Sequence, residues 1–316
     1  MDEIRRRKLK PWHGILFFLL IMAVFFTVCT YLQMHFGMYG LAATELIIFA
    51  MALAFAAVMR VPMREIFPVR KPSLARIFGT LLLWVSAYIT SMAAVGIIAY
   101  FFPAQVLGTN AALNSFIVSV PLAISFVIAA IMPAICEEAV HRGVILHCML
   151  PLERKWLIVF VMGVIFGLFH ADIWRFLPTA ILGAMLSYIM IETENMVYPA
   201  LFHCMNNAVP LLLMAALPDM TKTEQITAAG QMRMPLVTVA VYIILSAAVP
   251  YGIYFGSYLL KRKDRRREVF PKETRVRTVT VLTVLTVGLF MIGVVLFMAG
   301  ILMDQELFRM IIRSMR

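Results

Sequence analysis

Charge is what this chain of 316 residues has least of. Asp, Glu, Lys and Arg make up 14% of it, against 62% hydrophobic residues and a mean hydropathy of +0.90. That balance excludes a soluble globular protein, whose surface needs far more charged side chains. Stretches alternating apolar and polar residues are also missing, which argues against a transmembrane β-barrel. Only four cysteines occur (Cys29, Cys136, Cys148 and Cys204), with no Cys-x-x-Cys spacing. A disulfide framework or a zinc knuckle is therefore not expected. Fixed-period repeats and low-complexity segments are absent too.

What is present is a succession of long uncharged runs, near 14–34, 41–59, 77–102, 114–150, 156–173, 176–191, 196–217, 235–260 and 278–303. Most reach the ~20 residues needed to cross a ~30 Å hydrocarbon core; the fifth and sixth are short. The expectation is an all-α, polytopic helical membrane protein with about eight to nine transmembrane helices. It is a multi-pass integral membrane protein, of the cell membrane in a prokaryotic host. The first run is too long for the apolar core of a signal peptide, and no small-residue cleavage pattern follows it, so it reads as an anchor helix. Lys and Arg set the orientation. With the N-terminus cytoplasmic, segments 1–13, 60–76, 151–155 and 261–277 hold 21 of the 28 basic residues. The net charge of +11 thus points to anionic lipids at cytoplasmic loops and not to nucleic acid.

Against this background two adjacent carboxylates stand out. From Asn114 to Cys136 the cysteine thiol is the one ionisable side chain, and then come Glu137 and Glu138. A charge at membrane depth costs several kcal/mol, so its retention suggests a task. Arg142 follows Glu138 at i+4, the favourable order for a helical ion pair. Glu137 has no basic partner of its own, as a general base requires. His141 shares a face with Glu137, and Glu45, near the end of its span, is expected to reach water. His203 and Asn207, again i, i+4, face one way and suit a developing oxyanion; the adjacent Asn206 points elsewhere. Counting residues from the turn at Pro151 puts Glu137 and His170 at about the same height, ~20 Å, on facing helices. A first helix of ~37 residues, 114–150, would project ~10 Å beyond the bilayer and open the site to the cytoplasm.

At these residues the chain resembles the CAAX protease and bacteriocin-processing family of intramembrane endopeptidases. That family is marked by Glu-Glu-x-x-x-Arg, Phe-x-x-x-His and His-x-x-x-Asn on three transmembrane helices. Here they read Glu137-Glu138-Ala-Val-His-Arg142, Phe166-Gly-Leu-Phe-His170 and His203-Cys-Met-Asn-Asn207. The resemblance covers about 130–210. The chain reads as a single membrane domain over 1–316, since no polar connection exceeds about 17 residues, with a catalytic core at about 114–217 and accessory helices at 14–102 and 235–303. The resemblance implies that Glu137 and His170 activate water and that His203 and Asn207 stabilise the oxyanion. Glu138 and Arg142 would order the site or bind a substrate carboxylate. The substrate would be a membrane-associated protein or peptide. No cofactor is firmly implied; zinc held by Glu137, His170 and His203, with Glu138 as base, is the alternative that many members suggest. Two other classes stay open: a non-catalytic immunity or adaptor protein with a polar core, and a cation or proton transporter. The lack of inverted repeats and of acids on other helices argues against transport.

Overall fold

The computed structural model describes residues 9–216, 234–261 and 268–303, and among these every regular element is helical. The basic runs at 1–8 and 262–267 and the tail from 304 lie outside the described residues, and with the two runs nine of the 21 basic residues behind the orientation and lipid expectations. We number the helices α1 (Pro11–Val58), α2 (Leu74–Phe101), α3 (Pro103–Ile117), α4 (Leu122–Leu152), α5 (Lys155–Phe169), α6 (Ile173–Thr193), α7 (Val197–Ala216), α8 (Leu236–Leu260) and α9 (Arg275–Met303). Seven of these are long and apolar enough to cross a membrane. The chain is a polytopic helical membrane protein.

Three breaks shape the bundle. The first folds α1 into two arms at Gly37, which adopts φ 54° and ψ −129°, a region open in practice to glycine alone. The reversal is shown by Gln33, whose Nε2 donates to Thr44 Oγ1 at 3.0 Å. In a straight helix those residues would be ~16 Å apart. The second break overturns the expectation of one long helix over 114–150. Pro121 sits at φ −54° and ψ 144° ahead of Leu122, and it disfavours a helical conformation at the residue before it. Helix α4 therefore has 31 residues, and the projection argued from a longer helix does not follow. The third break ends α5 at Phe169, where the run to 173 was read as helix. Ala171 is left-handed (φ 51°), and Asp172 caps α6 by accepting from Trp174 N at 2.8 Å. With 15 residues, α5 is only ~22 Å long, too short to cross the hydrocarbon core.

Helices α4 to α7 hold all three motifs. Both arms of α1 pack on α4, α5 and α6 form a close pair, and α2 covers α6 and α7. Helix α8 lies against α2, and α9 against α8 on the outside. The connection before α2 is stitched to the start of α7: Asn195 Nδ2 donates to Arg70 O at 2.9 Å, Arg70 N donates to Asn195 Oδ1 at 3.1 Å, and Ser73 N donates to Tyr198 Oη at 2.9 Å. The α5–α6 contact depends on Gly183, because a Cβ there would lie 2.4 Å from Phe166 Cβ. Small residues at such a crossing let two backbones approach where no hydrophobic effect drives them together. Gly183→Ala should accordingly lower stability by about 1–3 kcal/mol through overpacking, read as an earlier thermal unfolding midpoint in detergent. An unchanged midpoint would mean that Phe166 is not held against α6.

Candidate active site

Helix α4 carries the acidic pair in a distorted stretch. Val127–Ile131 and Ala139–Ile145 are wound as π-helix on either side of Met132–Glu138. Pro133, inside that stretch, has no N–H to offer the Ala129 carbonyl one turn earlier. Asn207 of α7 supplies a donor instead, with Nδ2 3.1 Å from Ala129 O. Its Oδ1 accepts from Asn206 Nδ2 at 3.3 Å, which leaves Asn207 one further N–H.

The two glutamates are separated by their surroundings. Glu138 is fully buried, and its Oε1 accepts from Arg142 Nη1 at 2.9 Å and from His203 Nδ1 at 2.8 Å. Arg142 is equally buried; its Nη2 donates to Gly183 O at 3.0 Å, and its guanidinium carbon lies 4.5 Å from the centre of the Phe166 ring. The sequence offered Arg142 as a possible substrate clamp. The structure does not support that role, since both terminal nitrogens are committed and the residue is not exposed. Glu137 keeps a slightly exposed side chain, and its Oε2 has no hydrogen-bond partner. The nearest cationic atom recorded for it is His203 Nε2 at 4.0 Å. Because His203 donates from Nδ1 to Glu138, its Nε2 is the nitrogen turned toward Glu137.

Three imidazoles surround Phe166. His141, His170 and His203 each present an edge-on contact to it, with ring centres 5.0, 5.0 and 5.8 Å away. His170 Nδ1 donates to the Phe166 carbonyl at 2.9 Å, which fixes the tautomer so that the neutral ring has its lone pair on Nε2. No hydrogen bond or ion pair joins His170 to Glu137 among the described residues, although each lies within electrostatic range of His203. His141 donates to the Glu137 carbonyl at 2.8 Å, not to its carboxylate, and its Nε2 is buried without a partner.

Two charged residues join the site unannounced. Glu45, expected near water, is 3% exposed and its Oε2 is unpartnered. It lies close enough to Glu137 for the two carboxylates to repel, with the Cys136 thiol within reach of both. A lone acid in the uncharged run 41–59 is the same anomaly that marked Glu137, so the signal was there. It also removes one objection to transport, because an acid on another helix does face the pair. Arg175, near the start of α6, lies within electrostatic range of Glu137 and His170. In the sequence it lies between the fifth and sixth apolar runs, outside every motif.

The zinc alternative can be tested against this geometry. Among the described residues no group of three His, Cys, Asp or Glu side chains stands close enough to hold a metal ion. The set Glu137, His170 and His203 does not converge as arranged, and no step is derived through a metal.

Residues 118–209 match the family model described as type II CAAX prenyl endopeptidase Rce1-like. Over those 92 of its 316 residues the chain is similar to that family. That likeness supports an intramembrane protease acting on membrane-associated protein. The matched segment begins just before α4 and ends in α7, so all the motif residues described above lie in it. No curated protein and no solved structure matches the chain.

Removing one partner of a buried ion pair leaves the other uncompensated. Arg142→Met should therefore destabilise by about 3–5 kcal/mol, and Glu138→Gln added to it should restore part of that loss. Unfolding midpoints of the two single variants and the double variant test this. Additive losses would mean the pair is not coupled.

Proposed function

We propose that this protein hydrolyses a peptide bond of a membrane-associated protein or peptide, using water activated by Glu137. The observation that carries this reading is the asymmetry of the acidic pair. Glu138 is fully buried, with Oε1 taken up by Arg142 and His203 and Oε2 unpartnered, while Glu137 keeps a slightly exposed side chain whose Oε2, also unpartnered, lies 4.0 Å from His203 Nε2. Glu137 Oε2 takes a proton from water as the hydroxyl oxygen adds to the scissile carbonyl carbon. His170, with its Nε2 lone pair, accepts a hydrogen bond that orients that water. When the His203 ring carries both protons, Nε2 donates to the oxyanion, joined by the second N–H of Asn207. Glu137 then passes its proton to the leaving nitrogen as the C–N bond breaks, and its carboxylate is restored.

Glu138 and Arg142 act indirectly, through the tautomer and orientation they impose on His203. Asn207 is tied to the Ala129 carbonyl, so its oxyanion role and its repair of the proline-interrupted helix share one side chain. An apolar cleft of about 240 Å³, lined by Ile117, Val118, Leu122, Ser125, Leu211 and Met214, opens one turn beyond Ala129 and Asn207. It is chemically suited to an apolar stretch of substrate. The adaptor reading is disfavoured by the same contrast: a polar core built only for packing gains nothing from leaving the Glu137 carboxylate without a hydrogen bond.

In reconstituted membranes, Glu137→Gln and His203→Ala should each lower kcat/KM by at least 10²-fold, the usual contribution of a general base or an oxyanion donor. Two variants that fold normally and cleave like wild type would leave the motif residues as a structural core. Metal content and chelator sensitivity of the purified protein address zinc directly. A stoichiometric zinc lost in His170→Ala would replace the metal-free scheme.

A further inference from the structure

We propose that the end of the bundle where α5 begins carries a binding site for the phosphate of an anionic membrane lipid, formed by Lys155, Lys261 and Arg76. The inference is independent of the peptidase reading above.

Four helix ends from distant parts of the chain meet there. Lys155 is the first residue of α5, Glu192 lies in the last turn of α6, Lys261 follows the last residue of α8, and Arg76 stands in the first turn of α2. Glu192 Oε1 pairs with the Lys155 ammonium, and Lys261 Nζ lies 3.7 Å from the same oxygen. Arg76 Nε donates to the Leu260 carbonyl at 3.1 Å, which ties its guanidinium to the residue before Lys261. The cluster thus holds three cations and one carboxylate. Glu194 does not balance the excess, because it pairs with Arg70 at 3.8 Å, and the exposed Glu153 and Arg154 offset each other. Each ammonium has three N–H groups, so one shared carboxylate oxygen leaves donors for a second anion.

Aromatic faces hold the two lysines in place. Lys155 Nζ lies 4.6 Å from the centre of the Tyr188 ring and 5.0 Å from that of Trp156, and Lys261 Nζ lies 5.9 Å from Tyr188. The two rings stack at 5.7 Å with 6° between their planes. Side chains held this way have already lost rotamer freedom, so a phosphate finds its donors gathered. Both lysines stay partly open to solvent.

A free anion would need only the cations, whereas the surface beyond them continues as a lipid requires. Trp156 and Phe160, at i and i+4 on α5, are 69% and 67% exposed. Phe160 lies ~6 Å farther along the helix axis, at the depth where acyl chains begin. Tryptophan at the headgroup boundary is the usual companion of such a site. Charge at the bundle end and apolar surface running away from it along α5 repeat the order of a phospholipid. A phosphodiester without its own ammonium matches the excess positive charge, and a choline headgroup does not.

The test is quenching of tryptophan fluorescence by acyl-brominated lipids, for the full-length protein in phosphatidylcholine bilayers containing phosphatidylglycerol. The signal of Trp156 is the difference between wild type and Trp156→Phe. Brominated phosphatidylglycerol should be favoured over brominated phosphatidylcholine there by about fivefold or more, as one unbalanced basic charge at a membrane surface produces. Lys155→Gln combined with Lys261→Gln should bring that ratio toward one. Lys261→Gln alone, which leaves the Lys155–Glu192 pair in place, should lose part of it. Lys71→Gln with Lys272→Gln removes equal charge from exposed positions in neighbouring connections and should leave the ratio unchanged. Inorganic phosphate at constant ionic strength should not compete; if it abolishes the preference, the cluster binds a free anion and the lipid site fails. A wild-type ratio near one, a ratio that survives the Lys155 and Lys261 double variant, or one lost equally in the Lys71 and Lys272 control also overturns it.

Discussion

A single carboxylate oxygen, Oε1 of Glu138, holds this site together. It accepts from Arg142 on its own helix and from His203 on α7, and Arg142 in turn donates to the Gly183 carbonyl of α6. Removing a carboxylate and a guanidinium from water costs several kcal/mol for each, and only close hydrogen bonding offsets that cost. The network therefore forms only when α4, α6 and α7 stand in one register. Its catalytic consequence is indirect, because a His203 that donates from Nδ1 must turn Nε2 toward Glu137.

Phe166 is the apolar counterpart of that oxygen. One phenyl ring receives a guanidinium and the edges of three imidazoles, and its Cβ fills the space that glycine leaves at 183. Such a ring keeps bulk water out while favouring positive and N–H-bearing neighbours at its face. Charges beside it act in a low effective dielectric, where preorganised donors are most effective. The polar groups here are few, and most have a definite partner. Buried oxygens or nitrogens of Glu45, Glu137, Glu138, His141 and Arg142 lack one, and of these residues Glu137 has the side chain slightly open to water.

The helical membrane fold was legible because the signal is additive: twenty apolar residues in a row mean a span wherever they occur. Breaks were less legible. Pro121 and Asp172 carry recognised helix-boundary chemistry, yet both sit in runs so apolar that hydropathy reads straight through them, and Gly37 looks like any other glycine until its φ is known. In the site, spacing alone paired Glu138 with Arg142, since i and i+4 meet on any helix. The bond from Glu138 to His203 joins residues 65 apart, and spacing says nothing about such a contact. Asn207 was recognised from its motif, but its tie to the carbonyl that Pro133 leaves unserved needed two helices side by side.

The sequence by itself determined which side chains could do chemistry in a membrane, because an ionisable group in an uncharged run is costly wherever the run folds. Only the tertiary structure decided which of them are occupied. It spent Arg142 on Glu138 and a backbone carbonyl, buried Glu45 near Glu137, and left Glu137 slightly open to water. Occupancy depends on what neighbouring helices bring within about 3 Å of a polar atom, and that distance is set by packing between segments far apart in the chain.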